Sequence, residues 1–248
     1  MNAKQHDTKA LQDLDKQHYM HPFTDSKAMH KKGTRIITGA DGCYIYDSEG
    51  GKVLDGMAGL WCVAIGYGRH ELADVAAQQM RELPYYNSFF GTAHPPVIKL
   101  AAQLKKLAPA HISHVFFTGS GSESNDTNVR LVRHYWQAKG QPKKRTIISR
   151  YNAYHGSTMA AMSLGGMKGM HDQGGIIDGI EHIMQPHWYH ETLAGESEED
   201  FGLRAAQALE TKILEVGADH VGAFIGEPVQ GAGAVIVPPT SYWPEIQR

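Results

Sequence analysis

The chain has 248 residues, of which 42% are hydrophobic, so it can bury a full core and fits one large α/β domain with a small appendage. Its 24 basic and 26 acidic residues are spread evenly and give a formal net charge of -2. This distribution argues against a nucleic-acid partner, because it offers no basic stripe for a phosphate backbone. The N-terminal segment contains no apolar signal-peptide core, and no apolar run is long enough to cross a bilayer. We therefore expect a cytoplasmic protein without a membrane partner.

Cysteine and histidine usage gives no sign of a disulfide or a metal ion. Cys43 and Cys62 lie in apolar or aromatic stretches without a second cysteine nearby, and we expect both to be buried free thiols. Two histidine pairs have short spacings, His111 with His114 and His187 with His190. Both pairs lie in proline-flanked, loop-like sequence without acidic or thiolate partners at ligand spacing, so we expect no metal site.

The N-terminal part is predicted to begin as a small sheet and to continue as helices. Residues 36–54 alternate apolar and polar side chains around glycine-containing turns, which predicts an antiparallel meander. Apolar residues share one helical face over residues 72–83 and again over residues 100–107. We therefore expect residues 1–70 to form an N-terminal arm with the meander, and residues 71–248 to form the first part of a large domain.

From residue 115 onward, short β-branched runs alternate with helical patterns. The predicted strands cover residues 115–118, 146–149, 182–184 and 221–225, and the predicted helices cover 125–139, a stretch after 155, and 198–216. This alternation predicts an α/β fold with a mostly parallel sheet and helices on both of its faces. The last residues, PPTSYWPEIQR, resemble a loop that opens a further helix, so we expect the domain to be incomplete within this chain.

The segment TGSGSESND, residues 118–126, lies between the predicted strand VFFT and a helix. Glycines let the main chain turn tightly, and free N–H groups at the positive end of a helix dipole favour an anion, so we expect a phosphate here. Ser120 and Ser122 could add hydroxyl donors. Two alternatives stay open. One is a plain glycine turn with Ser122 as the helix N-cap, and the other is a dinucleotide fingerprint, which fits only in part because Ser124 replaces its third glycine.

Two further segments follow predicted strand ends. In NAYHGST, residues 152–158, Tyr154 and His155 should reach the same crevice as the glycine turn, and the tyrosine ring could stack on a flat cofactor. The alternative is ordinary packing. In the segment FIGEPVQGAG, Glu227 follows a strand, where a carboxylate is costly to bury unless it is hydrogen-bonded or has a task. Its alternative is a strand-end cap. Together, a phosphate cradle, an aromatic ring and an acid favour pyridoxal 5'-phosphate as the cofactor.

These motifs, in this order and spacing, resemble the class III (omega-type) aminotransferases of pyridoxal-phosphate fold type I. The resemblance covers the whole chain. The segments HPFTD at 21–25, LDGMAGLWCVAIGYG at 54–68 and LPYYNSFF at 83–90 are most similar to polyamine (putrescine, spermidine)–pyruvate transaminases. The resemblance implies transfer of an amino group from a primary amine such as putrescine to pyruvate, by a homodimer.

The same resemblance implies roles for individual residues. The cofactor would be held by Ser120, Gly121, Ser122, Asn125, Tyr154, His155 and Glu227. Gly121 and Ser122 would bind its phosphate, Tyr154 would lie against its pyridine ring, and Glu227 would support the acid that pairs with the ring nitrogen. Phe23, Trp61 and Phe89 would wall the amine pocket.

Some elements of the family pattern are missing or altered. The Schiff-base lysine and the aspartate that contacts the ring nitrogen would both lie beyond Arg248, so we expect no catalytic lysine here and a chain that is inactive alone. Lys143 and Lys144 lie in a surface loop and are poor substitutes. Ala234 stands where the family commonly has a second glycine. The alternatives are transamination of β-alanine or another omega-amino acid, a fold-type I mutase or decarboxylase, and a non-catalytic interaction protein.

Overall fold

The computed structural model describes residues 6–248, which form two compact units that divide between Gln103 and Leu104. The sequence placed the domain boundary at residues 70 and 71 instead, and that boundary stays a prediction about the folding domains. Across residues 6–248, no helix combines the length and the apolar character needed to cross a membrane.

The first unit contains the predicted meander and the two predicted helices. Its elements are α1 (Thr8–His18), α2 (Ser26–Lys32), β1 (Ile37–Asp41), β2 (Tyr44–Asp47), β3 (Lys52–Leu54), α3 (Ala58–Trp61), α4 (His70–Glu82) and α5 (Pro95–Leu107), which extends past the division. The strands pair antiparallel in the order β1-β2-β3, as alternation around short turns predicts. Asp7 and Asp25 cap α1 and α2, because each carboxylate accepts main-chain N–H groups of the first turn.

Among residues 6–248, the buried residues all lie in the second unit. Within the described residues, no residue before Val129 is buried. Cys43 and Cys62 are free thiols, but both are exposed, so the prediction that they are buried was wrong. Cys43 lies in the turn between β1 and β2, and Cys62 is the C-cap of α3. Residues at such positions are buried only where another layer covers them, and no helix of this unit packs extensively on the β1-β2-β3 sheet within residues 6–103. An apolar sequence context therefore overestimates the burial of these thiols.

The second unit is the predicted α/β sheet. Its elements are α6 (Gly121–Ala138), β4 (Thr146–Arg150), α7 (Met159–Leu164), α8 (Lys168–His171), β5 (Ile180–Ile183), α9 (Trp188–Glu191), α10 (Glu198–Val216), β6 (Val221–Phe224) and α11 (Tyr242–Gln247). The three strands are parallel and lie in the order β5-β4-β6. The carboxyl ends of β4 and β6 are therefore neighbours at one edge of the sheet.

Helices cover both faces of this sheet, as predicted. Ile147 packs in one apolar cluster with Val129 of α6 and Leu164 of α7, whereas Ile148 packs in another cluster with Leu209 of α10. Adjacent residues of β4 thus face opposite layers, because strand side chains alternate between the two faces. Ile148 is fully buried, and burying such a side chain contributes about 1.5–3 kcal/mol to folding. Packing on both faces therefore fixes the position of the carboxyl end of β4.

The predicted strand at residues 115–118 is absent from the described secondary structure. A β-strand needs a hydrogen-bonded neighbour, and no strand within residues 6–248 pairs with this segment. Phe116 accordingly keeps 72% of its surface exposed. The following helix begins at Gly121 rather than at residue 125, because Ser120 caps it and sets its start four residues earlier.

Candidate functional site

The glycine turn forms the N-terminus of α6. Ser120 is the N-cap, since its Oγ accepts the N–H of Glu123 at 3.1 Å, and the Glu123 carboxylate in turn accepts the N–H of Gly119 at 2.6 Å. This reciprocal arrangement resembles a capping box. The alternative that made Ser122 the cap was therefore wrong. Within residues 6–248, the N–H groups of Gly121 and Ser122 donate to no acceptor, so two main-chain donors are free at the positive end of the helix.

The YHG segment contacts this turn directly. The Ser157 N–H donates to Ser122 Oγ at 3.0 Å, and Asn125 Nδ2 donates to the carbonyl of His155 at 2.7 Å. Gly156 makes the approach possible. It has a φ of +133°, and a Cβ at this position would lie 2.5 Å from Ser122 Oγ. Only glycine fits both the conformation and the space.

Asp126 adds a further link between the same two segments. Its Oδ1 accepts the Thr158 hydroxyl at 2.7 Å and the Ala161 N–H at 2.9 Å, which ties the second turn of α6 to α7. The loop that carries Tyr154 is thus bound to the glycine turn by several hydrogen bonds at once. These contacts bring the main chain at Tyr154 close to the turn.

Glu227 joins the Tyr154 loop to the loop that follows β6. Its Oε1 accepts the N–H of Tyr154 at 3.0 Å, and its Oε2 accepts the N–H of Gly231 at 2.9 Å. Both carboxylate oxygens therefore bind main chain, which satisfies the charge without a cationic partner. Gly233 brings the same loop close to the YHG segment, since a Cβ there would lie 2.4 Å from the carbonyl oxygen of Asn152.

The two side chains of the YHG segment differ in environment. The side chain of Tyr154 remains exposed, with 39% of its surface accessible, whereas His155 is buried and its Nε2 meets no partner in the described part of the chain. Burial lowers the pKa of His155. The negative charge of Glu227 opposes this shift, and the positive charges of Arg150 and His182 add to it. The imidazole is therefore neutral at pH 7, and its Nε2 is enclosed by the protein without a hydrogen-bond partner in the described part of the chain.

The structure assembles seven of the predicted site residues in the second unit. They are Ser120, Gly121, Ser122, Asn125, Tyr154, His155 and Glu227. The three predicted pocket residues belong to the first unit, where Phe23, Trp61 and Phe89 are exposed by 72%, 63% and 73%. Their role in an amine pocket stays a prediction.

Sequence reasoning missed Arg150, which ends β4 and is fully buried. Its Nη2 donates to the main-chain carbonyl of Glu227 at 2.5 Å. A signal was available in the sequence. A charged residue that ends an apolar strand and directly precedes a candidate loop is unusual, because arginine is almost never fully buried without a partner or a task.

Of the two closely spaced histidine pairs, His187 and His190 interact within a helix cap. The Nδ1 atom of His187 accepts the N–H of His190 at 3.2 Å and so caps α9. Among residues 6–248, no group of three or more potential ligand side chains is arranged to hold a metal ion.

Taken together, these groups can bind an anion that carries a flat ring. The free N–H groups of Gly121 and Ser122 and the nearby serine hydroxyls match the acceptors of a phosphate. A partly exposed aromatic side chain on a neighbouring loop, held through its main chain, can lie against a ring attached to that phosphate. The donor set of the site therefore fits a phosphorylated heteroaromatic cofactor.

Comparisons with known proteins agree with this geometry. A family model for Aminotransferase class-III matches residues 26–248. The chain belongs to the class III aminotransferases. It is 60% identical over 249 residues to the putrescine–pyruvate aminotransferase of Pseudomonas aeruginosa, covering 100% of this chain and 54% of that protein. It is 43% identical over 216 residues to the diaminobutyrate–2-oxoglutarate transaminase of Halomonas elongata, covering 86% of this chain and 46% of that protein.

Solved structures of omega-transaminases have the same fold. The omega transaminase from Pseudomonas jessenii, crystallised in complex with PMP, has a TM-score of 0.93 and 45% identity, covering 96% of this chain and 52% of that chain. A thermostable (S)-enantioselective omega-transaminase from Thermomicrobium roseum also has a TM-score of 0.93, with 42% identity over 96% of this chain and 53% of its own. The chain thus spans about half the length of the relatives it matches, and its fold is that of the pyridoxal-phosphate-dependent transaminases.

Proposed function

We propose that the second unit binds pyridoxal 5'-phosphate and that the protein takes part in transamination from a primary amine of the putrescine type to pyruvate. The observation that carries the proposal is the pair of free N–H groups at Gly121 and Ser122. The hydrogen bond from the Ser157 N–H to Ser122 Oγ holds the loop that carries Tyr154 beside them. The 60% identity to a putrescine–pyruvate aminotransferase supports the choice of substrates.

Each site residue then has a defined task. Gly121 and Ser122 bind the cofactor phosphate through their N–H groups, with Ser120 and Asn125 beside them. The ring of Tyr154 would lie against the pyridine, and the Glu227 carboxylate holds the main chain of Tyr154 in place by accepting its N–H. When bound, the cofactor supplies an electron sink for amino-group transfer. Neutral His155 lines the site without adding a positive charge.

We assign the covalent lysine to no residue of this chain. Lys144 Nζ donates to the carbonyls of Ala218 and Val221, near the start of β6, whereas the site lies beyond the carboxyl ends of the strands. Within residues 6–248, no lysine donates a hydrogen bond to a residue of the site. The sequence-based expectations of a homodimer and of a cytoplasmic location also remain proposals.

Binding of the cofactor by the purified chain tests the proposal. The cofactor is titrated into the wild-type chain and followed by calorimetry, with inorganic phosphate as a competitor. Ser122→Ala should weaken binding by up to about 10-fold, because it removes the hydroxyl that holds the Ser157 N–H against the turn, and such a hydrogen bond contributes about 0.5–1.5 kcal/mol. Ser113→Ala is the matched control, because this exposed serine bonds only to His114 among the side chains of residues 6–248. A folded chain that does not bind the cofactor would favour the non-catalytic alternative.

Alanine formation tests the missing lysine and the choice of amine donor. Mixed with the cofactor, putrescine and pyruvate, this chain should form negligible alanine, and brisk turnover would contradict the missing-lysine assignment. In the transaminase that includes the lysine, putrescine should give alanine faster than β-alanine does. The reverse order would favour the omega-amino acid alternative.

A further inference from the structure

Arg150 is a buried cation whose hydrogen bonds point to a task. It is the last residue of β4, and none of its surface is exposed. Its Nη2 donates to the carbonyl of Glu227, while Nε and Nη1 meet no acceptor in the described part of the chain. Burying a charge with two unpaired donors opposes folding. A buried guanidinium of this kind is therefore expected to have a task, such as holding the main chain that it binds in one position.

Aromatic rings replace part of the lost hydration. The guanidinium lies 5.8 Å from the ring centre of Tyr242 and 5.4 Å from that of Trp243, distances at which a cation is attracted to a ring face. Trp243 also donates its indole N–H to the carbonyl of Pro228 at 3.2 Å. Arg150 and Trp243 therefore hold the consecutive carbonyls of Glu227 and Pro228, and they contact each other.

A second cross-link lies beside this one. Gln230, which is fully buried, donates its Nε2 to the carbonyl of Tyr151 at 3.0 Å. The strand end at β4 and the loop after β6 are thus bound in both directions: Arg150 reaches the loop, and Gln230 reaches back to the residue after Arg150. These bonds fix the main chain at Glu227, whose carboxylate accepts the N–H groups of Tyr154 and Gly231.

We propose that Arg150 is a positioning residue of the site, which fixes the main chain at Glu227 so that its carboxylate holds the Tyr154 loop over the glycine turn. The inference rests on the proposed function only where it calls this place a cofactor site. The contacts from Arg150 to Glu227, and from Glu227 to Tyr154, belong to the chain without any ligand. They can therefore be tested with and without the cofactor.

Three variants separate positioning from bulk stability. Arg150→Met removes the charge and the donors, and Arg150→Lys keeps a charge but loses the forked geometry. The control is Arg133→Met, because Arg133 also donates to main-chain carbonyls, those of Asp178 and Arg145, on a part of α6 away from the site. Circular dichroism shows which variants fold.

In the ligand-free chain, hydrogen exchange at the N–H groups of Tyr154 and Gly231 should be about 10-fold faster in both Arg150 variants and unchanged in Arg133→Met. NMR titration of His155 should give a higher pKa in Arg150→Met, because a nearby positive charge has been removed while Glu227 remains. Should Arg150→Met fail to fold, Arg150→Lys decides through the same exchange measurement. Unchanged exchange at both amides in a folded Arg150 variant overturns the proposal.

Cofactor titration separates this inference from the proposed function. Arg150→Met should bind pyridoxal 5'-phosphate about 10-fold more weakly than the wild type, and Arg133→Met should bind within about 2-fold, one decade corresponding to about 1.4 kcal/mol. If the wild-type chain does not bind the cofactor, the proposed function fails, while the exchange result still supports or overturns the positioning role. If the wild type binds and Arg150→Met binds equally well, the positioning role is overturned and the cofactor site stands.

Discussion

The close approach at Gly156 allows a quantitative prediction for Gly156→Ala. An alanine Cβ would lie 2.5 Å from Ser122 Oγ, 2.7 Å from Ala161 Cβ and 2.8 Å from Ser122 Cα. The last two neighbours cannot rotate away. Overpacking of this kind costs about 1–3 kcal/mol, and a side chain held at a φ of +133° adds about 1–3 kcal/mol of backbone strain. We therefore expect a loss of about 2–6 kcal/mol in the free energy of unfolding.

Urea unfolding followed by circular dichroism measures this loss. Gly169→Ala is the matched control, because Gly169 lies in α8 without a positive φ, and a Cβ added there would have no neighbouring atom within 4 Å. That substitution should raise the free energy of unfolding by about 0.5–1 kcal/mol. In Gly156→Ala, cofactor binding should also weaken, because Ser122 is displaced. A loss below about 1 kcal/mol in Gly156→Ala would refute the steric reasoning and show that the two loops can separate freely.

Three more predictions concern strain and titration. Ala234→Gly should stabilise the chain by about 0.5–2 kcal/mol in urea unfolding, because Ala234 has a φ of +102° that favours glycine. Glu196 has its pKa lowered to about 2, chiefly by the hydrogen bond from Arg204, so its stabilising effect is complete above pH about 4.5 and is lost as the pH falls towards about 2. Glu196→Gln should flatten stability in this range. His155 has a lowered pKa, so stability should fall as the pH drops below about 6.5, and less so in His155→Gln.

Each of these predictions has a control and a contrary outcome. The control for Ala234→Gly is the opposite substitution, Gly140→Ala. Gly140 has a φ of +73° and open space around it, so an alanine there should destabilise the chain through backbone strain alone. The acid-range comparison uses Glu49→Gln, on an exposed residue, and equal slopes for that variant and Glu196→Gln would exclude the Arg204 pair as the cause. For the histidine, a substitution at exposed His220 is the control, and a slope at His155→Gln equal to that of the wild type would remove His155 from the explanation.

The sequence predicted those elements whose pattern is local. The meander and the alternation after residue 146 follow from side-chain periodicity, and the structure confirms them. The segment at 115–118 has the β-branched and aromatic composition of a strand, yet a strand also requires a neighbour, which local composition does not supply. Cys43 shows the same limit, because its exposure depends on whether another layer covers it.

The site was predictable for a different reason. Carboxyl ends of parallel strands meet at one edge of a sheet, so the positions of Tyr154 and Glu227 after predicted strands predicted a shared crevice. The two residues meet because β4 and β6 are neighbours in the sheet. What could not be read from the sequence is how Glu227 acts within this chain. Its carboxylate binds two main-chain N–H groups, and that choice depends on loop conformations fixed by Gly156 and Arg150.

The polar side chains of this site mostly hold main chain, and the ligand-facing donors are themselves main chain. Ser122 binds the Ser157 N–H, Asn125 binds the His155 carbonyl, and Glu227 binds the N–H of Tyr154. The N–H groups of Gly121 and Ser122 are free because they belong to the first turn of α6, where an N–H has no intrahelical acceptor. Main-chain donors survive every substitution except proline, so the anion site should survive the loss of a single hydroxyl with modest losses. Changes that separate the loops, at Gly156 or Arg150, should instead move every donor together.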